Sequence, residues 1–220
     1  MTESPRQKRT NRERALRRSD IIAAANSLFL ENGYNNTTMD EIAEKAGFSK
    51  VTVYNYFSTK DDLYLAVAAL AFKTWADTFD ETIKKWEVKG LSKGFARFIK
   101  EHPGYAIIID DKVLRPSLVQ IMKKEEDNEE LSESESEFRM QQLRIFGVLM
   151  KAIQGTIGEN DLRGKISHLE IANALSNLVS GMTSELIIRE EIGSLSPSDT
   201  EKQLDLIMNI IDGGIKTLTK

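Results

Sequence analysis

Within residues 50–56, Lys50, Thr52, Tyr54, Asn55 and Tyr56 offer an ammonium, a hydroxyl, an amide and two phenols, with Val51 among them. On a helix, Val53 and Phe57, four apart, turn inward and leave these six largely outward. A surface helix ordinarily shows solvent a charged face, whereas this one shows hydrogen-bonding groups and flat rings. Those are the groups that hold phosphates and meet base edges. Other chemistries find little support. The chain has no cysteine and only two histidines, His102 and His168, and it lacks a Gly-rich phosphate loop, a GxSxG turn and an HExxH pair. Neither disulfides nor thiolate metal sites can form, and no acid pair sits in an evidently apolar surround. No enzyme activity, metal or cofactor is expected.

The reading segment needs a scaffold, and the neighbouring residues spell one out. Thr38 is followed three residues later by Glu41, so hydroxyl and carboxylate can satisfy each other's backbone N–H groups at a helix start. Ile42, Ala43 and Ala46 give that helix one apolar face, and Gly47 suits the left-handed residue that ends it. Ser49 can cap the helix that follows. Ahead of this pair, Ile21, Ile22, Ala25, Leu28 and Phe29 recur at helical spacing, which predicts a first helix from near Arg14 to Glu31, stopped by Asn32-Gly33. Tyr34, in the short link, reads as a packing residue that fixes the angle between the first helix and the reading pair.

The stretch IIAAANSLFLENGYNNTTMDEIAEKAGFSKVTVYNYFSTKDDL, within residues 19–65, resembles the first helix, helix-turn-helix and start of the fourth helix of TetR-type transcriptional regulators. The resemblance implies that Thr38, Thr52, Asn55, Tyr56 and Lys60 hold phosphates of double-stranded DNA. It likewise implies that Met39, Lys50, Val51 and Tyr54 approach base edges in the major groove. Met39 and Val51 can make only apolar contacts there, for instance with a thymine methyl, which leaves specificity to Lys50 and to DNA shape. The resemblance further implies a repressor that binds a palindromic operator as a homodimer, its last two helices pairing across a twofold axis. A small molecule would then shift the residue 61–86 helix and separate the reading heads.

Net charge is −4, yet residues 1–60 carry +3 and residues 61–220 carry −7. Arg6 to Arg18 alone hold seven basic residues against Glu13. That run reads either as a solvated tail or as an arm that docks on phosphates or enters the minor groove. The expected organisation is a basic N-terminal arm (1–18), a helix-turn-helix domain (19–60) and a helical ligand-binding and dimerisation domain (61–220). Beyond residue 60, helices are expected over 61–86, 91–101, 116–127, 134–157, 168–191 and 199–218, with breakers at Gly90, Pro103-Gly104, Pro116, Gly158 and Ser196-Pro197. The apolar run at 107–110 is ambiguous, and no strand alternation appears, so the fold class is all-α.

Trp75, Phe79, Phe95, Phe98, Tyr105, Phe146 and Met150 supply aromatic and soft apolar surface that either fills a core or lines a pocket for a largely apolar ligand. His102 reads as a helix-end hydrogen-bonding residue or a polar pocket contact. Ala172, Ser176, Ser180 and Thr183 form a small-residue stripe, and Leu204, Met208, Ile211, Ile215 and Leu218 repeat at a helix-packing spacing; both suit an internal core or a dimer seam. The run EEDNEELSESESE (125–137) holds eight acids. It reads as a solvated loop or helix start, or as a docking site that would make the protein a DNA-binding adaptor controlled by a protein partner. The longest nearly uncharged apolar run, Leu63 to Phe72, is too short to span a bilayer, and the N-terminus lacks a signal-like apolar segment. A cytoplasmic protein is expected.

Overall fold

The computed structural model describes residues 4–86, 89–110, 112–157, 167–175, 181, 185, 189, 193–194 and 196–217. Among these residues all regular structure is helical, in agreement with the all-α expectation. Two compact units form, residues 1–69 with 115–138 and residues 70–114 with 139–220. The division therefore differs from the expected one at residue 60. Leu63 and Val67, wholly buried, join the N-terminal unit, and so does the 115–138 stretch.

In the N-terminal unit, helix α1 spans Pro5–Asn32. It starts well before the expected Arg14, because Ser4 and Gln7 form a capping box around Pro5, a residue suited to the first helical position. Gly33, at φ 77°, ends the helix, and its N–H donates to the Phe29 carbonyl. Helix α2 (Met39–Ala46) follows a wholly buried Thr37, whose hydroxyl donates to the Gly33 carbonyl at 2.9 Å and contacts that of Leu28 at 3.2 Å. Gly47 adopts the left-handed conformation (φ 72°, ψ 25°), as expected, and Ser49 then caps helix α3 (Lys50–Tyr56). Helix α4 runs Lys60–Trp86 and opens with Asp61 and Asp62 at its positive end.

In the second unit, helices α5 (Lys89–Glu101) and α6 (Pro103–Asp110) are separated only by His102. Its N–H donates to the Phe98 carbonyl at 2.8 Å, and its own carbonyl accepts from Tyr105 and Ala106. His102 thus ends one helix and starts the next, and the ambiguous 107–110 run is helical. Helix α7 (Leu114–Glu126), whose residues from Arg115 on belong to the N-terminal unit, tolerates Pro116 in its first turn, and helix α8 (Glu133–Thr156) belongs to that unit up to Phe138 and to the second from Arg139. Residues 168–175 are helical, and helix α9 covers Pro197–Thr217. Ser176, Ser180 and Thr183 of the expected small-residue stripe lie outside the described residues, as do Gly158, Leu218 and the side chains of Leu204, Met208, Ile211 and Ile215. A Cβ at Gly94 would meet the Thr82 hydroxyl and the Phe79 backbone, so glycine there lets α5 approach α4 closely.

Candidate nucleic-acid interface

Helix α3 is short, and its orientation is set from both ends. Ser49 accepts the Thr52 N–H at 3.1 Å, and the two hydroxyls lie 2.8 Å apart. Val53 and Phe57 are wholly buried. The outward side carries Val51 at 70% exposure, Tyr54 at 43%, and exposed Lys50 and Asn55, while Thr52 and Tyr56 are half-buried. A valine so exposed, beside an exposed tyrosine, gains nothing from water. It suits a surface completed by something else.

Helix α1, the link that follows it and helix α4 meet through aromatic and cationic contacts. Tyr34 stacks on Phe29 (5.9 Å between centroids), meets Tyr64 edge-on (4.9 Å), and donates its hydroxyl to Asp61. The packing role expected for Tyr34 is what its ring does. Lys60 donates to the carbonyls of Tyr34 (2.9 Å) and Thr37 (3.0 Å) and stands 4.1 Å from the Tyr34 ring centroid. Its ammonium is engaged in holding the link between α1 and α2, a positioning task distinct from the phosphate contact the resemblance implies.

Met39 requires a correction. It is 7% exposed, because it lies three and four residues before the buried Ile42 and Ala43 and shares their inward face. A base contact needs the side chain outside, and here it is in the core. The exposed neighbour is Asp40, whose carboxylate lies 2.7 Å from the Lys50 ammonium. That hydrogen bond and charge hold the Lys50 pKa above its ordinary value. Thr38 is exposed, but its hydroxyl and then its backbone N–H donate to the Glu41 carboxylate, each at 2.8 Å, which holds the Glu41 carboxyl below the usual glutamate range, and the hydroxyl accepts the Glu41 N–H at 3.3 Å.

Sequence reasoning missed Asp40 and, more consequentially, Arg18. Buried at 8% exposure, Arg18 sits 5.1 Å from the centroid of the Phe57 ring that terminates α3. It donates to Glu137 at 2.8 and 3.2 Å, and lies 3.4 Å from the Ser134 hydroxyl and 3.5 Å from Glu133. Its signal was available: Arg18 stands three residues before Ile21 and seven before Ala25, on the buried stripe of α1. The acidic run is correspondingly less open than expected. Glu135 is buried and paired with Lys124 at 2.8 Å, and Glu133 also reaches Arg14 at 3.7 Å. The remaining basic residues of 5–17 lie exposed along α1. A helix some 10 Å across does not enter a minor groove about 6 Å wide, so of the two DNA contacts expected for this segment the structure disfavours the minor-groove one.

In the second unit the expected ligand residues come together. Trp75 contacts the rings of Phe79 (5.5 Å), Phe98 (5.9 Å) and Phe95 (6.3 Å). Phe98 continues to His102 and His102 stacks on Tyr105, each at 5.8 Å, while Phe146 and Met150 pack against the same cluster. Among the described residues no group of acids and histidines is arranged to hold a metal, and no helix is long and apolar enough to cross a membrane.

Residues 21–67 match the profile of the bacterial regulatory proteins, tetR family. The transcriptional activator FasR of Mycolicibacterium smegmatis is 32% identical over 114 residues, which take in 49% of this chain and 52% of FasR. The match thus spans about half the length of that relative. Solved structures show the fold more widely. The fatty acid degradation regulator FadR of Bacillus halodurans superposes with a TM-score of 0.63 at 14% identity, over 89% of this chain and 98% of that one. FadR of Bacillus subtilis, in complex with stearoyl-CoA, superposes with a TM-score of 0.61 at 16% identity, over 88% and 96%. Residues 21–67 thus carry a helix-turn-helix of the tetR-family type, and the chain shares its all-helical fold with these solved structures.

Proposed function

We propose that this protein is a transcriptional repressor that binds a palindromic operator as a homodimer and releases it when a largely apolar small molecule binds. The observation that carries the DNA half is the outward face of α3, where Lys50, Val51, Tyr54 and Asn55 stand exposed on a helix fixed at both ends. The N-terminal part of such a helix enters the major groove, and two copies about one turn apart select a palindrome. Lys50, Val51 and Tyr54 meet base edges, while Thr38, Thr52, Asn55 and Tyr56 lie beside phosphates. Exposed Leu206 and Ile210, four apart on α9, offer a second copy an apolar strip. A protein that reads chromosomal DNA works in the cytoplasm, and repression is carried over from the resemblance to the tetR family.

The ligand half rests on the aromatic cluster. Trp75, Phe79, Phe98, His102, Tyr105, Phe146 and Met150 converge in one place and suit a long apolar body. The stearoyl-CoA bound by the similarly folded FadR supports a fatty acyl compound as effector. The alternative, an adaptor docking a protein on the acidic run, is disfavoured because Glu133, Glu135 and Glu137 are already engaged with Arg18 and Lys124.

Fluorescence anisotropy on the DNA just upstream of the protein's own gene, against a shuffled duplex at two salt concentrations, tests the reading. Expected is tight, salt-sensitive binding that prefers the native sequence, is weakened by Tyr54→Ala, and is lost on adding stearoyl-CoA. Equal weak binding to both duplexes refutes the operator reading, and binding indifferent to acyl compounds refutes this effector class.

A further inference from the structure

Asp40 and Lys50 lie in the first turns of α2 and α3, and their side chains meet between the two helices at 2.7 Å. Both side chains are well exposed, 64% for Asp40 and 57% for Lys50. A solvated ion pair of this kind contributes little to stability. Its cost for DNA binding is larger, since a carboxylate beside the reading helix repels every phosphate and neutralises the nearest cation. A carboxylate on this face is useful only where the groove presents a donor. In the major groove the donors are cytosine N4 and adenine N6, and guanine alone gives a lysine two acceptors, O6 and N7. Cytosine N4–H and guanine O6 are a hydrogen-bond length apart within one base pair. The carboxylate and ammonium show the matching spacing, with Asp40 Oδ1 2.7 Å and Oδ2 3.0 Å from Lys50 Nζ.

We propose that Asp40 is a specificity-determining residue, which with Lys50 reads a C·G pair: Asp40 accepts from the cytosine N4 amino group while Lys50 donates to guanine O6 and N7. The inference rests on the DNA-binding reading above and adds to it a base preference. Lys50 keeps its tether as it meets the base, so its long side chain is pre-set. The carboxylate requires an amino donor beside it, cytosine N4 or adenine N6, and the two acceptors that guanine offers Lys50 favour C·G over A·T.

Selection from a random-sequence duplex library, run with wild type, Asp40→Ala and Asp40→Asn, tests this. Both variants should melt with the wild type, because Asp40 is a surface residue. The expected result is a wild-type motif with a C·G pair at one fixed position, and loss of that preference, on the order of ten-fold in relative affinity, in both variants. Binding of both variants to unrelated duplexes should rise as Lys50 is freed. If Asp40→Ala and Asp40→Asn enrich the same motif with the C·G pair intact, Asp40 reads nothing and the inference fails. If the wild type itself enriches no motif, the DNA-reading proposal fails with it, and the two failures are distinguishable.

Discussion

Arg18 should hold the reading helix in place, and the structure allows the size of that effect to be worked out. Arg18→Met keeps the apolar stem and removes the guanidinium. Lost are charge-assisted hydrogen bonds to Glu137, at 2.8 and 3.2 Å, and the contact 5.1 Å from the Phe57 ring centroid. A hydrogen bond to a charged group contributes about 1.5–3 kcal/mol and an arginine over a ring about 1 kcal/mol. The carboxylates left behind are not stranded, since the side chains of Glu137 and Glu133 are 36% and 57% exposed and regain water. The net cost is about 2 kcal/mol, which lowers Tm by roughly 4–8 °C in a chain of this size. Glu137→Gln should cost about 1 kcal/mol, and the double variant less than the two single costs together by about 1 kcal/mol. Because the cation rests on the residue that ends α3, Arg18→Met should also weaken DNA binding without touching DNA itself. Thermal melts of the two single variants and the double variant, with anisotropy on a bound duplex, provide the assay. Strictly additive melts, or an Arg18→Met protein that melts with the wild type, would refute the coupling.

Lys60→Ala should lower Tm and DNA affinity together, because its ammonium holds two carbonyls of the α1–α2 link; affinity loss with an unchanged melt would instead make it a phosphate contact. Gly94→Ala forces a methyl group against Thr82 and Phe79 and should cost about 1–3 kcal/mol in a urea titration, with no loss expected in Gly155→Ala, where a Cβ meets open space. The Asp77 carboxyl is held below the ordinary aspartate value by hydrogen bonds from Lys73 first and then Arg144. A depressed folded-state value means that its stabilisation is complete above the unfolded pKa and is lost as pH falls through the lower folded one. Urea midpoints measured downward from about pH 5 should therefore fall less steeply in Asp77→Asn than in wild type; parallel curves would show that the pairing contributes nothing.

The helix-turn-helix was legible because its signals are local. A capping box at Thr38, a left-handed Gly47 and a cap at Ser49 each act within four residues, and the structure shows all three. The start of α1 was legible in principle, since Ser4, Pro5 and Gln7 form the same kind of signal, but the search for apolar period looked past a segment with no apolar face. Met39 was misplaced because family position was weighed above helical spacing, which puts it beneath Ile42. The acidic run was hardest. Its composition says solvated, and only the fold places Arg14, Arg18 and Lys124 opposite Glu133, Glu135 and Glu137. Arg18 and Glu137 are far apart in sequence, and no local pattern announces such a partnership. The aromatic cluster lay between, for residue types and period gathered its members while the contact order among their rings required the fold.

The early start of α1 bears on the thermodynamics of recognition. A basic segment that is a coil when free must be ordered as it lands on DNA, at about 1–2 kcal/mol of backbone entropy for each residue fixed. Here Arg6 to Arg17 are already held in a capped helix. Association therefore meets a preformed rod whose charges rise 1.5 Å per residue, and its heat-capacity change should carry no folding contribution from this segment. The same rigidity fixes how far the charges reach, so insertion of one residue near Arg14 would rotate every earlier cation by about 100° relative to the rest of the helix.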